Sequence, residues 1–241
     1  MSSQAPTHAE DGATDRVAGL MRERRVAPSI LSADFGRLAE QVEGVLEAGA
    51  RVIHVDVMDG HFVPPITIGA LVVEGLRDVV REAGGMLDVH LMIERPERHV
   101  EEFAEAGADV ITVHQEATPH VHFALQQVRE AGCRAGLALC PSTPPETVVE
   151  VTELLDLVLC MTVNPGWSGQ PFIEQSPAKV ARLLELLPSE VVVEVDGGIK
   201  GGTAEKVAEA GARLFVAGSA VFGSDDPAGA YREIAEAAGA S

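Results

Sequence analysis

Lysine and arginine are scarce in this chain, 18 against 37 aspartates and glutamates in 241 residues, for a formal net charge of −19 at pH 7. With no basic cluster to displace counterions from phosphates, nucleic acid is not expected as a partner. Aromatics are also few, one Trp and one Tyr beside seven Phe, while 46% of residues are hydrophobic. The core is therefore aliphatic, as suits parallel strands buried on both faces. No apolar run approaches the roughly 20 residues that cross a bilayer, so no membrane span is expected. Cys133, Cys140 and Cys160 are odd in number and lack zinc-finger spacing, which predicts reduced thiols in a cytoplasmic protein. The start, MSSQAPTHAEDGATDR, lacks a cationic segment followed by an apolar one. Residues 1–24 are accordingly expected to be a flexible tail rather than a secretory signal, and 25–241 the catalytic domain. Nor does the dinucleotide fingerprint of an open doubly wound sheet follow the first strand-like run, PSILSADF.

What is present is a repeated phrase: EAGARVIHVDV from Glu47, EAGADVITVH from Glu105, EAGCRAGLAL from Glu130 and EAGARLFVAG from Glu209. Glu-Ala finishes a helical pattern, Gly supplies the left-handed residue that stops it, and an apolar run follows as a buried strand. Further runs complete strands near Val26–Leu31, Val52–Val57, Met86–Leu91, Val110–His114, Ala135–Cys140, Leu157–Thr162, Val191–Val195 and Leu214–Ala217. Amphipathic stretches separate them, including Gly36–Ala48, Pro96–Ala106 and Pro145–Leu154. Eight strands alternating with eight helices predict a single α/β domain, a (β/α)₈ TIM barrel, for which about 250 residues is the usual length.

Active sites of such barrels lie at the C-terminal ends of the strands. His54 and Asp56 stand two apart on the second strand, so both point inward; His90 ends the third and Asp196 follows the seventh. Two imidazoles and two carboxylates converging there predict a site for one divalent metal ion, and mixed N/O ligation selects Zn, Fe, Mn or Co over Ca. A carboxylate on either side of such an ion suits a two-base reaction. One acid removes the proton α to a carbonyl, a metal-stabilised enediolate forms, and the other acid returns a proton on the opposite face. Asp56 and Asp196 are the candidates.

Glycine-containing turns follow the later strands: NPGWSGQ (Asn164–Gln170), DGGI (Asp196–Ile199) and AGSAVF (Ala217–Phe222). Barrel enzymes commonly hold phosphate there on backbone N–H groups, and Gly169, Gly197, Gly198, Gly218 and Ser219 are placed to do so without a basic patch. Met58, Met92 and Met161 sit at or just past strand ends, where methionine is usually core filler but where three together also suit an apolar lid.

The phrases APSILSADF, HVDVMDGHFVP, DVHLMIERPERHVEEFAEAGADVITVH, GLAL, MTVNPGWSGQ, EVDGGI and VAGSAVF resemble those of the ribulose-phosphate 3-epimerase family, from Ala27 to beyond Phe222. The resemblance implies interconversion of D-ribulose 5-phosphate and D-xylulose 5-phosphate in the pentose phosphate pathway, with metal on His54, Asp56, His90 and Asp196 and acid/base roles for Asp56 and Asp196. It further implies that Ser29 contacts the sugar phosphate, that the methionines line the site together with Gly166, Trp167 and Ser168 of the phosphate turn, and that the chain forms a homo-oligomer. Pro65, Gln115, Cys140, Trp167, Ser168 and Lys200 depart from the family's usual residues, which keeps 3-epimerisation of a hexulose or heptulose phosphate as the alternative. A Schiff-base aldolase would need a lysine on an inner strand face, and the eight strands contain none. A non-catalytic barrel would have no use for the ligand set.

Overall fold

The computed structural model describes residues 16–240. Eight parallel strands, β1 (Arg25–Pro28), β2 (Val52–Met58), β3 (Met86–Met92), β4 (Val110–His114), β5 (Arg134–Leu139), β6 (Leu157–Met161), β7 (Val192–Asp196) and β8 (Leu214–Ala217), pair in the order β1-β8-β7-β6-β5-β4-β3-β2. An isolated parallel bridge between Ser29 and His54 brings β1 to β2 and closes the circle. The expected (β/α)₈ barrel is the fold observed. Helices cover its outside: α2 (Leu38–Glu47), α3 (Ala70–Glu82), α4 (Val100–Ala106), α5 (Val121–Glu130), α6 (Ser176–Leu186), α7 (Gly201–Glu209), the single turn α8 (Ser219–Phe222) and α9 (Pro227–Ala238); residues 16–22 form α1.

The repeat works as its sequence reads. Gly49, Gly107, Gly132 and Gly211, the third residue of each EAG phrase, all have positive φ. At Gly107 a Cβ would also meet the Arg77 side chain at 2.5 Å, so backbone freedom and close packing of α3 against α4 both require glycine.

Alternation then sorts the strands. On β2, Ile53, Val55 and Val57 join the layer packed on the helices, while Val52 belongs to a separate cluster with Met86, Val110, Leu157, Val192 and Leu214 inside the barrel. The inner cluster is sealed by Val17 and Met21 of α1, which are 4% and 3% exposed. This corrects part of the expected tail: residues 1–15 lie outside the described residues, but 16–22 are helical because Val17 and Met21, four apart, share one face and bury it on the barrel floor.

Two other expectations change. Pro145–Leu154 is a 3₁₀ helix rather than an α-helix. Its buried residues, Pro145, Val148 and Val151, recur every third position, matching three residues per turn. The first strand stops at Pro28 instead of Leu31, because the Ser29 hydroxyl accepts from the Leu31 N–H and turns the chain into a 3₁₀ turn, Ile30–Ser32.

Candidate active site

Register places the chemistry. Asp56 is the Cα partner of His90 between β2 and β3, and Asp196 partners Met161 and Val216 at the end of β7. His54, Asp56, His90 and Asp196 each offer a ligand atom, all within 4.8 Å of one another. The structure thus brings together the four residues singled out from sequence.

The hydrogen bonds around them leave a specific gap. His54 Nδ1 lies 2.6 Å from Asp88 Oδ2, so Nδ1 carries the proton and donates to that carboxylate. The other nitrogen, Nε2, is buried without a hydrogen-bond partner and faces Asp56 Oδ1 at 3.3 Å. His90 Nδ1 faces the same oxygen at 3.0 Å and Asp196 Oδ2 at 4.0 Å. The bare His54 Nε2, aimed at a carboxylate oxygen in a buried pocket, calls for a cation, since acceptors cannot satisfy one another. Two nitrogens and two carboxylates match a borderline transition metal better than calcium, and the Asp88 carboxylate behind His54 is the outer support that metal-bound histidines commonly have. The residues fit the group that the sequence predicts.

Electrostatics agree with the geometry. Burial disfavours a charged His54, yet Asp56 and Asp88 raise its proton affinity well above the ordinary value of 6.5, a measure of how strongly the pocket draws positive charge. Burial opposes ionisation of Asp56 as well, but His54 and His90 hold its carboxylate far below the usual range. Asp196 is pushed the other way, up to about 7, by burial and then by the charge of Asp56. His90 is pushed down to about 4, chiefly by burial. Two acids on one site whose environments drive them apart is the pattern of an acid/base pair.

Above them opens a cavity. Asp56 and Asp196 line its base, while His54 and His90, fully buried, lie beneath the lining. Ser29, Met58, Met92, Met161, Gly166, Trp167, Ser168, Gly169, Gly197, Gly198, Gly218 and Ser219 all line it too. Ser29 donates from Oγ to Asp56 Oδ2 at 2.6 Å, holding the carboxylate oxygen opposite the one that faces the imidazoles. Met58 and Met92 pack with Val63, Leu31 and Phe62 into a small apolar cluster at the mouth. Gly197, with φ 117°, lies so close to Val163 that a Cβ would fall 2.3 Å from its side chain, and this brings the DGGI backbone into the cavity wall. The loop Asn164–Gln170 is tied to itself by Gln170 Nε2, which donates to the carbonyls of Asn164 at 2.6 Å and Trp167 at 3.0 Å. No Lys or Arg is among the described residues that line the cavity.

Near the site, Asp88, Glu194 and His114, all buried, and the exposed Glu116 escaped the sequence reading. Asp88 and Glu194 lie one inward position below His90 and Asp196, and Glu194 Oε1 sits 3.9 Å from His54 Nδ1. Burial and the neighbouring Asp88 raise Glu194 well above its ordinary pKa. His114 ends β4, with Nε2 2.9 Å from His90 Nε2, and Glu116 Oε2 accepts from His114 Nδ1 at 3.1 Å. Partial desolvation pushes Glu116 up, but hydrogen bonds from His114, Thr143 and the Cys140 backbone hold it down to about 2. The period-two rule that exposed His54 and Asp56 would have reached Asp88, Glu194 and His114 had it been carried along every strand. Of the departures from the family pattern, Trp167 and Ser168 line the cavity, whereas Cys140 stands behind His114 with its Sγ 3.7 Å from Nδ1.

The sequence pattern of the ribulose-phosphate 3 epimerase family matches residues 25–222. Among individual proteins, the chain is 50% identical over 214 residues to ribulose-phosphate 3-epimerase of Bacillus subtilis (strain 168), covering 87% of this chain and 97% of that one. It is 50% identical to the chloroplastic ribulose-5-phosphate-3-epimerase of Arabidopsis thaliana, covering 87% and 75%, and 47% identical to the Escherichia coli (strain K12) ribulose-phosphate 3-epimerase, covering 86% and 92%. In three dimensions it superimposes on KGPDC from Streptococcus mutans with a TM-score of 0.71 at 17% identity, covering 90% and 97% of the two chains. A 3-hexulose-6-phosphate synthase superimposes with a TM-score of 0.67 at 23% identity, covering 88% and 98%. The last two similarities speak to the fold alone.

Proposed function

The chain belongs to the ribulose-phosphate 3-epimerase family, and from that premise we propose that it interconverts D-ribulose 5-phosphate and D-xylulose 5-phosphate by inverting carbon 3. The observation that carries this reading is the pair of acids at the cavity base, Asp56 from β2 and Asp196 from β7, with proton affinities displaced in opposite directions. In the direction that starts from charged Asp56 and protonated Asp196, Asp56 takes the C3 proton from one face of the sugar and Asp196 delivers its own to the other. The reverse reaction exchanges the roles, as microscopic reversibility requires. Ser29, bonded to Asp56, orients that carboxylate toward the substrate.

His54, Asp56, His90 and Asp196 would hold the divalent cation, Zn²⁺, Fe²⁺, Mn²⁺ or Co²⁺, which when bound polarises the ketone and acidifies the neighbouring C–H. Backbone N–H groups of Gly169, Gly197, Gly198, Gly218 and Ser219 would receive the phosphate, which reconciles an anionic ligand with a net charge of −19. Gly166, Trp167 and Ser168 would cover the sugar, and Met58, Met92 and Met161 would shield the enediolate from water. Three free cysteines support a reducing, cytoplasmic setting, and no helix of the described residues is long and apolar enough to cross a membrane. Ile66 and Leu71, 81% and 83% exposed on the segment after β2, support the homo-oligomer.

Incubation of D-ribulose 5-phosphate in deuterated water tests the reading. Deuterium should appear at C3 of the xylulose 5-phosphate formed, and no xylulose 5-phosphate should form with Asp196→Asn. Exchange confined to hexulose or heptulose phosphates would transfer the activity to those sugars, and no exchange with any ketose phosphate would remove it.

A further inference from the structure

The segment that leaves β2 at Asp59 and returns at Thr67 builds one side of the cavity mouth, and side chains outside the proposed chemistry pin it at both ends. Thr67 Oγ1 donates to the Asp56 carbonyl and accepts from the Met58 N–H, each at 2.9 Å, while the Thr67 N–H reaches the Met58 carbonyl at 3.1 Å. At the other end the Asp59 carboxylate makes two separate ties. Oδ1 accepts from the N–H groups of His61 at 2.8 Å and Phe62 at 3.0 Å, an Asx turn within the loop. Oδ2 accepts at 2.8 Å from the N–H of Glu94, which lies beyond the end of β3. Desolvation pushes this carboxyl up, but the three N–H donors hold it below its ordinary value of 3.8, so the ionised form makes the ties.

The ties support an apolar wall. The β2–β3 ladder ends at the pair Met58 and Met92, one residue before Asp59 and two before Glu94, and the carboxylate extends the link one step further. Phe62 and Val63, at the end of the Asx turn, pack with both methionines. The Phe62 ring also rests on His114, with centroids 4.8 Å apart. Val63 in turn meets the loop Asn164–Gln170, since a Cβ on Gly166 would lie 3.3 Å from Val63 Cβ. We propose that Asp59 is a positioning residue for the epimerisation: by joining Glu94 to the Asx turn it holds Phe62 and Val63 against Met58 and Met92, and so keeps water out while a proton passes between sugar and acid.

The inference rests on the proposed function, and its signature is the fate of the abstracted proton. A carboxyl screened from water returns that proton to the carbon it came from, whereas a wetted one exchanges it first. In deuterated water at low conversion, wild type should place deuterium at C3 of the xylulose 5-phosphate formed and far less in the ribulose 5-phosphate recovered. Asp59→Asn can serve the Asx turn or Glu94 but not both, because its NH₂ donates. Label in recovered substrate relative to product should then rise several-fold, and kcat and kcat/KM should fall together by about 10-fold. Asp59→Ala, which loses both ties, should go at least as far. The ratio is read on active molecules alone, so a loss of folded protein does not move it.

A ratio unchanged in both variants overturns the proposal. So does wild type whose recovered substrate is labelled as fully as its product, since no screen then exists. A rise in KM with kcat and the ratio unchanged assigns Asp59 to substrate binding and overturns it too. Amide hydrogen exchange on wild type needs no variant: the Glu94 N–H should be protected, and exchange at the rate of a free amide removes the tie. Wild type that turns over no ketose phosphate removes the proposed function and this role with it, whereas active wild type with an unmoved ratio in the variants removes this role alone.

Discussion

The floor and the mouth of this barrel are cut from the same strands. Val52, Met86, Val110 and Val192 face inward at the floor; four residues further along, Asp56, His90, His114 and Asp196 face inward at the mouth. Four residues of strand span roughly 13 Å, and over that distance the interior changes from a close-packed apolar plug into a cluster of acids and imidazoles. The two ends divide the labour. Burying charged groups costs stability that only pairing or a cation recovers, and the apolar floor, sealed by Val17 and Met21, supplies the offset without touching the reacting groups.

The sharpest way to break this division is at the mouth. Asp196→Asn should lower kcat by about 10³-fold or more while the thermal midpoint above pH 7 stays at or above that of wild type, because burial and the charge of Asp56 already oppose the Asp196 charge; steady-state kinetics beside calorimetry will read both. At the floor the signs reverse. Leu157→Ala, at a fully buried position, should cost about 2–5 kcal/mol in denaturant titration and leave the kcat of the folded fraction within about twofold. Truncating the plug is gentler, since a terminal helix can shift to refill the space: Met21→Ala should cost about 1–2 kcal/mol and again spare kcat.

A pH slope is confined to the mouth. Asp196 binds its proton more tightly in the folded protein, with its pKa near 7, than at its ordinary value of 3.8. The contribution is therefore fully present below about pH 4 and is lost as pH rises toward 7. Metal-free wild type should lose a few degrees of midpoint across that window, Asp196→Asn should not, and an unchanged slope in the variant would show that Asp196 is not the group responsible.

Much of this was legible in the residues alone, for physical reasons. The EAG phrase encodes a helix stop that only glycine satisfies at Gly107, so four units could be counted from it and the other four strands from further apolar runs. Strand alternation put His54 and Asp56 on one face. What escaped detection was carried by spacings other than those sought. Pro145–Leu154 buries every third residue, and over ten residues that differs little from an α-helical stripe. Val17 and Met21 form too short an apolar pattern to stand out in a polar segment. Glu116 lies beyond the end of its strand and acquires meaning only from His114, Cys140 and Thr143 beside it, a relation that no single run displays.

Trp167 is the only indole in the chain, and it stands 55% exposed on the short loop over the cavity. The molecule therefore contains a built-in optical reporter: tryptophan emission comes from that loop and from nowhere else. A sugar phosphate settling beneath it should shift the emission to the blue as water leaves the ring, so ligand arrival can be timed in the native chain, without a dye and before any chemistry occurs.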